Sequence, residues 1–369
     1  MTKKSVYLQF LQMINSLQEI KVTKVIDSRL GSVDWDNLPF GKVFSDHMLV
    51  MDYRDGAWSN PEIVPFERMS FHPATSAIHY GQSIFEGMKA YRSLTDEVAL
   101  FRPDMNARRF KISCDRMCMP AISEDVFLYC VEQLVSLDRN WIPSRKGYSL
   151  YIRPFMFATD DYIGIKPSDT YKFMIFTCPV GHYYAQPLTV KIEEHFTRAS
   201  IGGVGRAKTA GNYAASLYPA KMAKMEGFDQ LIWTDGIEHK YIEESGTMNI
   251  MFVIDGKLIS PSEDSDTILR GITKRSVIEI ARDWGMTVEE RQVSVKEIIE
   301  SIKNGSLTEA FGAGTAATIA QIQRIGYRGE LFNLPEIESR EFSHKVYAHL
   351  NNIKSGEVTD AFNWIRKVN

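Results

Sequence analysis

Hydrophobic and polar residues alternate along the first half of the chain in patterns typical of both helices and strands. Residues 109–117 and 124–137 place their apolar side chains at helical spacing. Residues 149–157 and 171–177 are dense in tyrosine, phenylalanine and isoleucine, which is typical of strands. We therefore expect sheets with helices packed against them in this part of the chain.

The second half shows further strand patterns and two amphipathic helices. Strands are predicted at 188–192, 230–234, 249–254 and 257–259. The last two flank Asp255-Gly256, a pair that favours a tight hairpin turn. Helices are predicted at 273–284, ending before Gly285, and at 295–303, with Ser294 as the N-cap.

An interruption at 178–187 marks the expected boundary between two domains, because it contains two prolines and a glycine. We predict a smaller N-terminal α/β domain over 1–182 that includes an N-terminal extension. A linker over 183–189 and a larger C-terminal domain over 190–369 follow. Mixed sheets with packed helices place the protein in the α+β class.

The composition indicates which kinds of binding partner and which cellular compartment to expect. The 369 residues are 44% apolar and 24% charged, with a net charge of −3, so nothing favours nucleic acid or an anionic membrane. No stretch approaches the ~18 apolar residues of a membrane span, and the N-terminus lacks a secretory signal. Four loosely spaced cysteines fit reduced thiols better than disulfides or a zinc site. We expect a cytoplasmic protein without a metal site.

Three glycine-bearing turns are candidate anion sites: GGVGRAKT (202–209), GIT (271–273) and GAGTAA (312–317). Such a turn exposes backbone N–H groups that bind phosphate or carboxylate, although each could also be a plain helix-start turn. The first nearly matches a P-loop, but Ala207 replaces the second glycine and a polar segment precedes it. The third lacks the βαβ context of a dinucleotide site. Together the three turns suggest a phosphate-bearing cofactor held by the backbone.

Lys208 and Glu244 are candidates for the chemistry of that cofactor. Lys208 is flanked by small residues, which is unusual for a surface charge, and lysine forms Schiff bases with aldehydes. Pyridoxal phosphate also needs a carboxylate opposite its ring nitrogen. Glu244 precedes a Ser245-Gly246-Thr247 turn, and its neighbour Glu243 would point to the opposite side of a strand. Spacing alone leaves a solvated turn carboxylate as an alternative for Glu244.

Eight separated blocks agree, in order, with one known family. They are HYGQSIFEGMKAY (79–91), FRPDMNARRF (101–110), SLYIRPFMF (149–157), CPVGHYY (178–184), GGVGRAKTAGNYAAS (202–216), EESGTMNIMFV (243–253), LRGITKRSV (269–277) and AFGAGTAA (310–317). Through them the chain, from about Phe40 to the C-terminus, resembles the branched-chain aminotransferases of the fold-type-IV pyridoxal-phosphate class. The resemblance implies the two-domain fold of D-amino-acid aminotransferase-like proteins.

The resemblance also implies which residues hold pyridoxal 5′-phosphate. Lys208 would carry the cofactor as a Schiff base and shuttle a proton at the substrate Cα. Tyr213 would hydrogen-bond the phenolic oxygen, and Glu244 would pair with the ring nitrogen. The phosphate would be bound by the guanidinium of Arg109, the backbone N–H groups of Ile272 and Thr273, and the hydroxyl of Thr315.

A substrate pocket is implied as well. The α-carboxylate would meet the backbone of Thr315 and Ala316, with Tyr151 nearby and Thr247 assisting, and Arg153 would receive the distal carboxylate of glutamate. The apolar part would be formed by Phe40, Tyr80, Phe85 and Tyr183, and a partner subunit would insert a loop containing Ile163 and Ile165. Without the resemblance, core packing would be the preferred interpretation of each aromatic residue.

The implied activity is a ping-pong transamination in a homodimer with shared active sites. Leucine, isoleucine or valine would transfer its amino group to 2-oxoglutarate, giving glutamate and a branched 2-oxo acid. D-amino-acid aminotransferases and aminodeoxychorismate lyases share the fold but would not be expected to keep the SLYIRP and GTMN blocks. An inactive scaffold would not be expected to keep all four implied cofactor side chains. Ala317 and Ala320 replace the redox CxxC of animal members, which excludes thiol regulation at that place.

Overall fold

The computed structural model describes residues 20–181 and 186–368. The chain divides into two compact units, one formed by Met1–Gly181 with Ala361–Asn369 and the other by His182–Asp360. The predicted linker over 183–189 begins outside the described residues, and its last two positions, Leu188 and Thr189, belong to a strand. Each described helix is too short or too polar to cross a membrane.

The first unit is built on a mixed sheet. Its first nine strands are β1 (Lys21–Val22), β2 (His47–Arg54), β3 (Ala57–Trp58), β4 (Glu62–Pro65), β5 (Ser83–Phe85), β6 (Met88–Arg92), β7 (Val98–Phe101), β8 (Ser149–Ala158) and β9 (Tyr171–Val180). Its helices are α1 (Ser76–Tyr80), α2 (Pro103–Arg116) and α3 (Glu124–Leu137), with 3₁₀ helices at Arg29–Ser32 and Arg139–Trp141. The main path through the sheet runs β1-β4-β2-β9-β8-β6-β7.

Two long central strands organise this sheet. β8 and β9 pair antiparallel along their whole length, from Ser149 opposite Val180 to Ala158 opposite Tyr171. Helices α2 and α3 cover the sheet, with Phe110, Phe127 and Phe173 buried in the shared core. The predicted helix over 124–137 and the two predicted strands are confirmed. Helix α2 begins six residues before the predicted start at 109, at Pro103, because proline suits the first helical turn.

The second unit contains the remaining helices and most of the remaining strands. The strands are β10 (Leu188–Ile192), β11 (Gln230–Thr234), β12 (Ile242–Ser245), β13 (Met248–Ile254), β14 (Lys257–Pro261), β15 (Val288–Arg291), β16 (Leu307–Gly314), β17 (Thr318–Tyr327) and β18 (Glu330–Asn333). The helices are α4 (Ala210–Met225), α5 (Ile272–Asp283), α6 (Val295–Lys303) and α7 (Phe342–Ser355), with a 3₁₀ helix at Ile337–Ser339. The strand order is β12-β11-β10-β17-β16-β13-β14-β15. Because β12 also pairs with β13, the six strands from β12 to β13 in this order form a closed ring.

The elements predicted for this unit are present. Ser294 caps α6, and its Oγ accepts a hydrogen bond from the Glu297 N–H, as its position predicted. Helix α4 was not predicted, because Pro219 lies inside it and Leu217 and Tyr218 are exposed, which hides the amphipathic pattern. The mixed sheets and packed helices confirm the predicted α+β class.

The end of the chain returns to the first unit. Strand β19 (Ile365–Val368) pairs antiparallel with β7, so that Ile365 lies opposite Phe101 and Val368 opposite Val98. The prediction grouped these residues with the C-terminal domain over 190–369, because it assumed that each domain is continuous in sequence. The structure instead inserts the second unit between β9 and β19.

Candidate active site

The loop that precedes α4 holds Lys208 in place. Asn212 Nδ2 donates hydrogen bonds of 2.9 Å to the carbonyls of Val204 and Ala207, which bind the loop to the start of the helix. A methyl group on Gly205 would lie 2.6 Å from the carbonyl oxygens of Asp266 and Thr267, so this close approach of two backbones requires glycine. The Lys208 Nζ donates a hydrogen bond of 2.8 Å to the Tyr213 Oη.

Glu244 is buried in strand β12. Only 3% of its surface is exposed, which rules out the solvated turn carboxylate that spacing left open. Its Oε1 accepts a hydrogen bond of 2.6 Å from the Leu269 N–H, and its Oε2 lies 3.3 Å from the Arg198 Nε. Burial raises the pKa of Glu244, and the charge of Arg198 opposes that effect. Glu243 turns to another partner and accepts a hydrogen bond from the Thr267 hydroxyl.

A cavity opens beside these groups in the second unit, with about 300 Å³ of empty space when the part open to solvent is included. It is lined by Arg198, Asn212, Tyr213, Ser216, Glu244, Gly246, Thr247 and Leu269. The structure therefore brings together three of the residues predicted from the sequence, and Lys208 joins them through its contact with Tyr213. A phenol and a buried carboxylate line one cavity and an amine contacts the phenol, which is a set of groups suited to binding and proton transfer.

Asn249 connects this carboxylate to the two other glycine-bearing turns. It lies opposite Glu244 in β12 and opposite Ala313 in β16, two residues before Thr315. Its Nδ2 donates a hydrogen bond of 2.9 Å to the Leu269 carbonyl. A methyl group on Gly271 would lie 1.7 Å from the Asn249 Oδ1, so the 271–273 turn needs its glycine to approach this side chain.

Of these two turns, the structure places only 271–273 at the start of a helix, whereas 312–317 leads into a strand. Ile272 and Thr273 are the first residues of α5, where backbone N–H groups have no partner within the helix. Thr315 and Ala316 lie in the turn between β16 and β17. The predicted role of these residues in binding a phosphate or carboxylate stays a prediction.

Four of the predicted substrate residues contact one another in the first unit. The rings of Phe40 and Tyr151 meet edge to face, with 5.0 Å between their centroids. The Arg153 Nη2 donates a hydrogen bond of 3.1 Å to the Tyr151 Oη, and its guanidinium lies 4.7 Å from the centre of the Phe85 ring. Within the described residues the buried Nε of Arg153 has no hydrogen-bond partner. This cluster thus combines an apolar surface with one cation.

Arg109 forms a buried ion pair that the sequence did not predict. Its Nε and Nη2 donate hydrogen bonds of 2.7 and 2.8 Å to the two carboxylate oxygens of Glu86. Asn106 Nδ2 donates a further hydrogen bond of 2.7 Å to the same carboxylate. Glu86 is fully buried, so the pair fixes the guanidinium on α2. Binding of a phosphate by Arg109 stays a prediction.

The remaining predicted residues lie at the surface or outside the described part. Tyr80 is 43% exposed at the end of α1, where the centre of its ring lies 6.1 Å from that of His79. Ile163 and Ile165 are 67% and 94% exposed, and the insertion of their loop into a partner subunit stays a prediction. Tyr183 lies outside the described residues.

Three polar residues at these sites were not singled out from the sequence. Glu86 and Asn249 lie inside blocks of the family resemblance, where neither has a motif of its own. Arg198 lies in the polar segment before the glycine loop, which was used only as an argument against a P-loop. A charged residue shortly before a candidate cofactor lysine is the one signal that could have drawn attention to Arg198.

Comparison with known proteins gives consistent matches. A family model described as Amino-transferase class IV matches residues 83–325. The chain is 46% identical to branched-chain-amino-acid aminotransferase 2 of Bacillus subtilis over 355 residues, covering 95% of this chain and 97% of that protein. It is 44% identical to branched-chain-amino-acid transaminase 1 of the same organism over 340 residues, covering 91% and 95%.

Solved structures show the same fold. The branched-chain amino acid aminotransferase of Escherichia coli has a TM-score of 0.71 and 26% identity, covering 88% of this chain and 99% of that chain. The enzyme from Thermobaculum terrenum, solved in its PLP form, has a TM-score of 0.69 over 87% of this chain and 98% of that chain. At 24% identity, the second likeness bears on the fold alone.

Proposed function

Because the chain belongs to the class IV aminotransferase family, we propose that it is a branched-chain L-amino-acid aminotransferase that uses pyridoxal 5′-phosphate. The supporting observation is the cavity of the second unit, which is lined by Tyr213 and the buried Glu244, together with the hydrogen bond that the Lys208 amine donates to Tyr213. Leucine, isoleucine and valine are the proposed amino donors and 2-oxoglutarate the acceptor. The named relatives in Bacillus subtilis support this substrate class.

The residues at the cavity fit this cofactor. The almost completely buried Glu244 carboxylate lies beside Arg198, and it can accept a hydrogen bond from a protonated ring nitrogen. Tyr213 offers a hydroxyl for the phenolic oxygen, while Ile272, Thr273, Thr315 and Arg109 are the proposed ligands of the phosphate. When bound, pyridoxal phosphate supplies an electron sink for the bond that breaks at the substrate Cα.

Lys208 is the proposed catalytic base. Its Nζ would take the proton from the substrate Cα and deliver it to C4′ of the cofactor, so one amine acts first as base and then as acid. General acid–base help of this kind is typically worth ~10²–10⁴-fold in rate. The Tyr213 Oη, which accepts a hydrogen bond from this amine, keeps it oriented towards the cavity. Asn212 holds the loop that carries it.

The Phe40–Phe85–Tyr151–Arg153 cluster is the proposed selector for substrate side chains. An aliphatic side chain would pack on the aromatic rings, and the distal carboxylate of glutamate would pair with the guanidinium. Because Arg153 already donates to Tyr151, the guanidinium has a fixed position before a substrate arrives. One site can therefore accept the two chemically different amino acids of a ping-pong cycle in turn.

We propose a cytoplasmic homodimer with shared active sites. The first unit has an apolar groove lined by Phe66, Phe71, Phe155, Phe157 and Phe176, with about 970 Å³ of empty space. An aromatic surface of this kind on a sheet is typical of contacts between subunits. The exposed Ile163 and Ile165 supply further apolar surface in the same unit. The four cysteines are unpaired thiols, in keeping with a reducing compartment.

One experiment tests the function directly. The purified protein is loaded with pyridoxal phosphate, its absorbance is recorded, and transfer from leucine to 2-oxoglutarate is measured before and after Lys208→Ala. We expect bound cofactor and activity in the wild type, and loss of both the covalent absorbance band and turnover in the variant. Lys221→Ala is the matched control and should behave as the wild type, because Lys221 is an exposed lysine on α4, the helix that follows the Lys208 loop.

Each other result contradicts a named part of the proposal. Activity retained in Lys208→Ala would remove the assignment of the base. Turnover of D-alanine but not leucine would indicate a D-amino-acid aminotransferase, and lyase activity on aminodeoxychorismate would indicate the other relative with this fold. Bound cofactor without transamination would indicate an inactive scaffold.

A further inference from the structure

Arg198 occupies the junction of three segments around the cavity. Its side chain is 9% exposed. Its Nη2 donates hydrogen bonds to the carbonyl of Thr267 and, at 3.4 Å, to that of Gly205. Gly205 lies in the loop of Lys208, and Thr267 lies shortly before the Gly271 turn. One guanidinium therefore contacts both backbone segments that border the cavity.

The same guanidinium faces the buried carboxylate. The Arg198 Nε is 3.3 Å from the Glu244 Oε2, yet it makes no hydrogen bond within the described part of the chain. The other carboxylate oxygen is already fixed by the Leu269 N–H. Glu244 thus has one oxygen held by the backbone and one oxygen under the influence of a permanent positive charge.

Charge balance at Glu244 depends on this arginine more than on any other group. Burial raises the pKa of Glu244, and Arg198 is the strongest of the influences that lower it, ahead of Leu269, Lys208 and Lys274. A carboxylate in a cavity that loses its counter-charge takes up a proton. Glu244 would then be a neutral acid, which donates a hydrogen bond to a ring nitrogen instead of accepting one from it.

We propose that Arg198 is a positioning residue that keeps Glu244 ionised and thereby sets how firmly the cofactor ring nitrogen holds its proton. The inference rests on the proposed function, because it concerns pyridoxal phosphate in this cavity. Arg198 does not touch the reacting atoms and acts through Glu244. The ring is an effective electron sink only while its nitrogen is protonated, so the charge of Arg198 reaches the reaction by this route.

A purely structural role is the competing explanation, since Arg198 also joins two backbone segments. Two substitutions separate the explanations. Arg198→Gln keeps a donor for the Thr267 carbonyl and removes the charge, whereas Arg198→Lys keeps the charge and removes the planar fork. Electrostatic control predicts that lysine rescues and glutamine does not. A structural brace predicts that both variants lose thermal stability and that the cofactor itself is unaltered.

The test follows the proton on the cofactor and not only activity. Wild type, Arg198→Gln, Arg198→Lys, Glu244→Gln and the Arg198→Gln/Glu244→Gln double variant are loaded with ring-¹⁵N pyridoxal phosphate. The ¹⁵N chemical shift is recorded against pH, and kcat and KM for leucine are measured in parallel. We expect Arg198→Gln to lower the pH at which the ring nitrogen loses its proton by about one unit. We expect kcat to fall about tenfold or more, with little change in KM.

The double variant decides whether Arg198 acts through Glu244. Once Glu244 is replaced by the neutral glutamine, the additional loss of Arg198 should change kcat by less than about threefold. It should shift the midpoint of the ¹⁵N titration by no more than about a few tenths of a pH unit. Effects that add in the double variant would overturn the proposal, as would an unshifted ¹⁵N titration in Arg198→Gln. If Arg198→Gln does not fold, Arg198→Met compared with Arg198→Lys makes the same comparison. A wild type without cofactor or transamination would instead contradict the proposed function itself.

Discussion

Gly87 offers a sharp test of how the first unit positions Tyr151. A methyl group at this position would lie 2.2 Å from the Tyr151 Oη, 3.0 Å from Cζ and 3.3 Å from Cε2. Carbon atoms in ordinary contact are separated by ~3.5–4.0 Å, so Gly87→Ala forces the end of the Tyr151 ring to move by roughly 1 Å. That movement breaks the 3.1 Å hydrogen bond from Arg153 to Tyr151 and disturbs the edge contact with Phe40.

The expected magnitudes follow from these contacts. Forcing a methyl group into a packed site typically costs about 1–3 kcal/mol, which corresponds to a fall in Tm of roughly 2–12 °C for a unit of this size. A hydrogen bond from a charged group is worth about 1.5–3 kcal/mol. If Arg153, oriented by Tyr151, receives the distal carboxylate, kcat/KM for 2-oxoglutarate should fall roughly 10- to 100-fold. The kcat/KM for leucine should fall less, because leucine has no side-chain carboxylate for Arg153 to bind.

The assay is a double-mutant cycle between Gly87→Ala and Tyr151→Phe. Removal of the hydroxyl leaves Cζ at 3.0 Å as the nearest atom, so the alanine should cost at least about 1 kcal/mol less in the phenylalanine background. Gly31→Ala is the matched control, since no atom lies within 4 Å of its added methyl group. Equal costs of Gly87→Ala in both backgrounds, measured by thermal and urea unfolding, would refute the reasoning.

Three further predictions follow from contacts elsewhere in the structure. Ser294→Ala removes the cap of α6 and should lower the free energy of unfolding by about 1 kcal/mol while leaving turnover unchanged, which urea unfolding and the leucine assay can check. Glu86→Gln removes the carboxylate that pairs with the buried Arg109 and should lower the free energy of unfolding by about 3–5 kcal/mol. Glu62→Gln, the control at an exposed pair with Lys21, should lower it by less than about 1 kcal/mol. Burial raises the pKa of Glu244, so the cofactor-free folded state binds this proton more tightly than the unfolded chain, and the associated stability is lost as pH rises from 4.5 through the folded pKa. The Tm of cofactor-free Glu244→Gln should therefore increase relative to that of the cofactor-free wild type as pH rises. A difference in Tm that does not change with pH would contradict this prediction.

Much of the fold follows from local patterns. The strand at 149–157, the hairpin around Asp255-Gly256 and the capped helix at 295–303 were predicted because their signals lie within a few neighbouring residues. Helix α4 was missed because its large apolar side chains Leu217, Tyr218 and Met225 are exposed and a proline lies within it. The pairing of β19 with β7 joins residues more than 260 positions apart, and no periodicity within either strand encodes such a contact.

The residues of the candidate site could likewise be predicted from the sequence only in part. Lys208 and Glu244 could be singled out because each has an unusual immediate neighbourhood of small residues or turn residues. The partners that fix them, Arg198 and Asn249, could not, because their roles arise when distant segments meet in the folded unit. Glu86 illustrates the point most clearly: its buried pairing with Arg109 is a property of the β5–α2 packing and not of either motif.

The late return of the chain to the first sheet bears on the order of events during synthesis. Between Phe101 and Ile365 lie 264 peptide bonds. At about 5–20 residues per second, the ribosome needs roughly 13–50 s to supply the partner of β7. Until then the edge of β7 offers unpaired backbone groups to other nascent chains. The inserted unit, whose strands all lie between Leu188 and Asn333, can finish first, so the half of the protein that starts first is completed last.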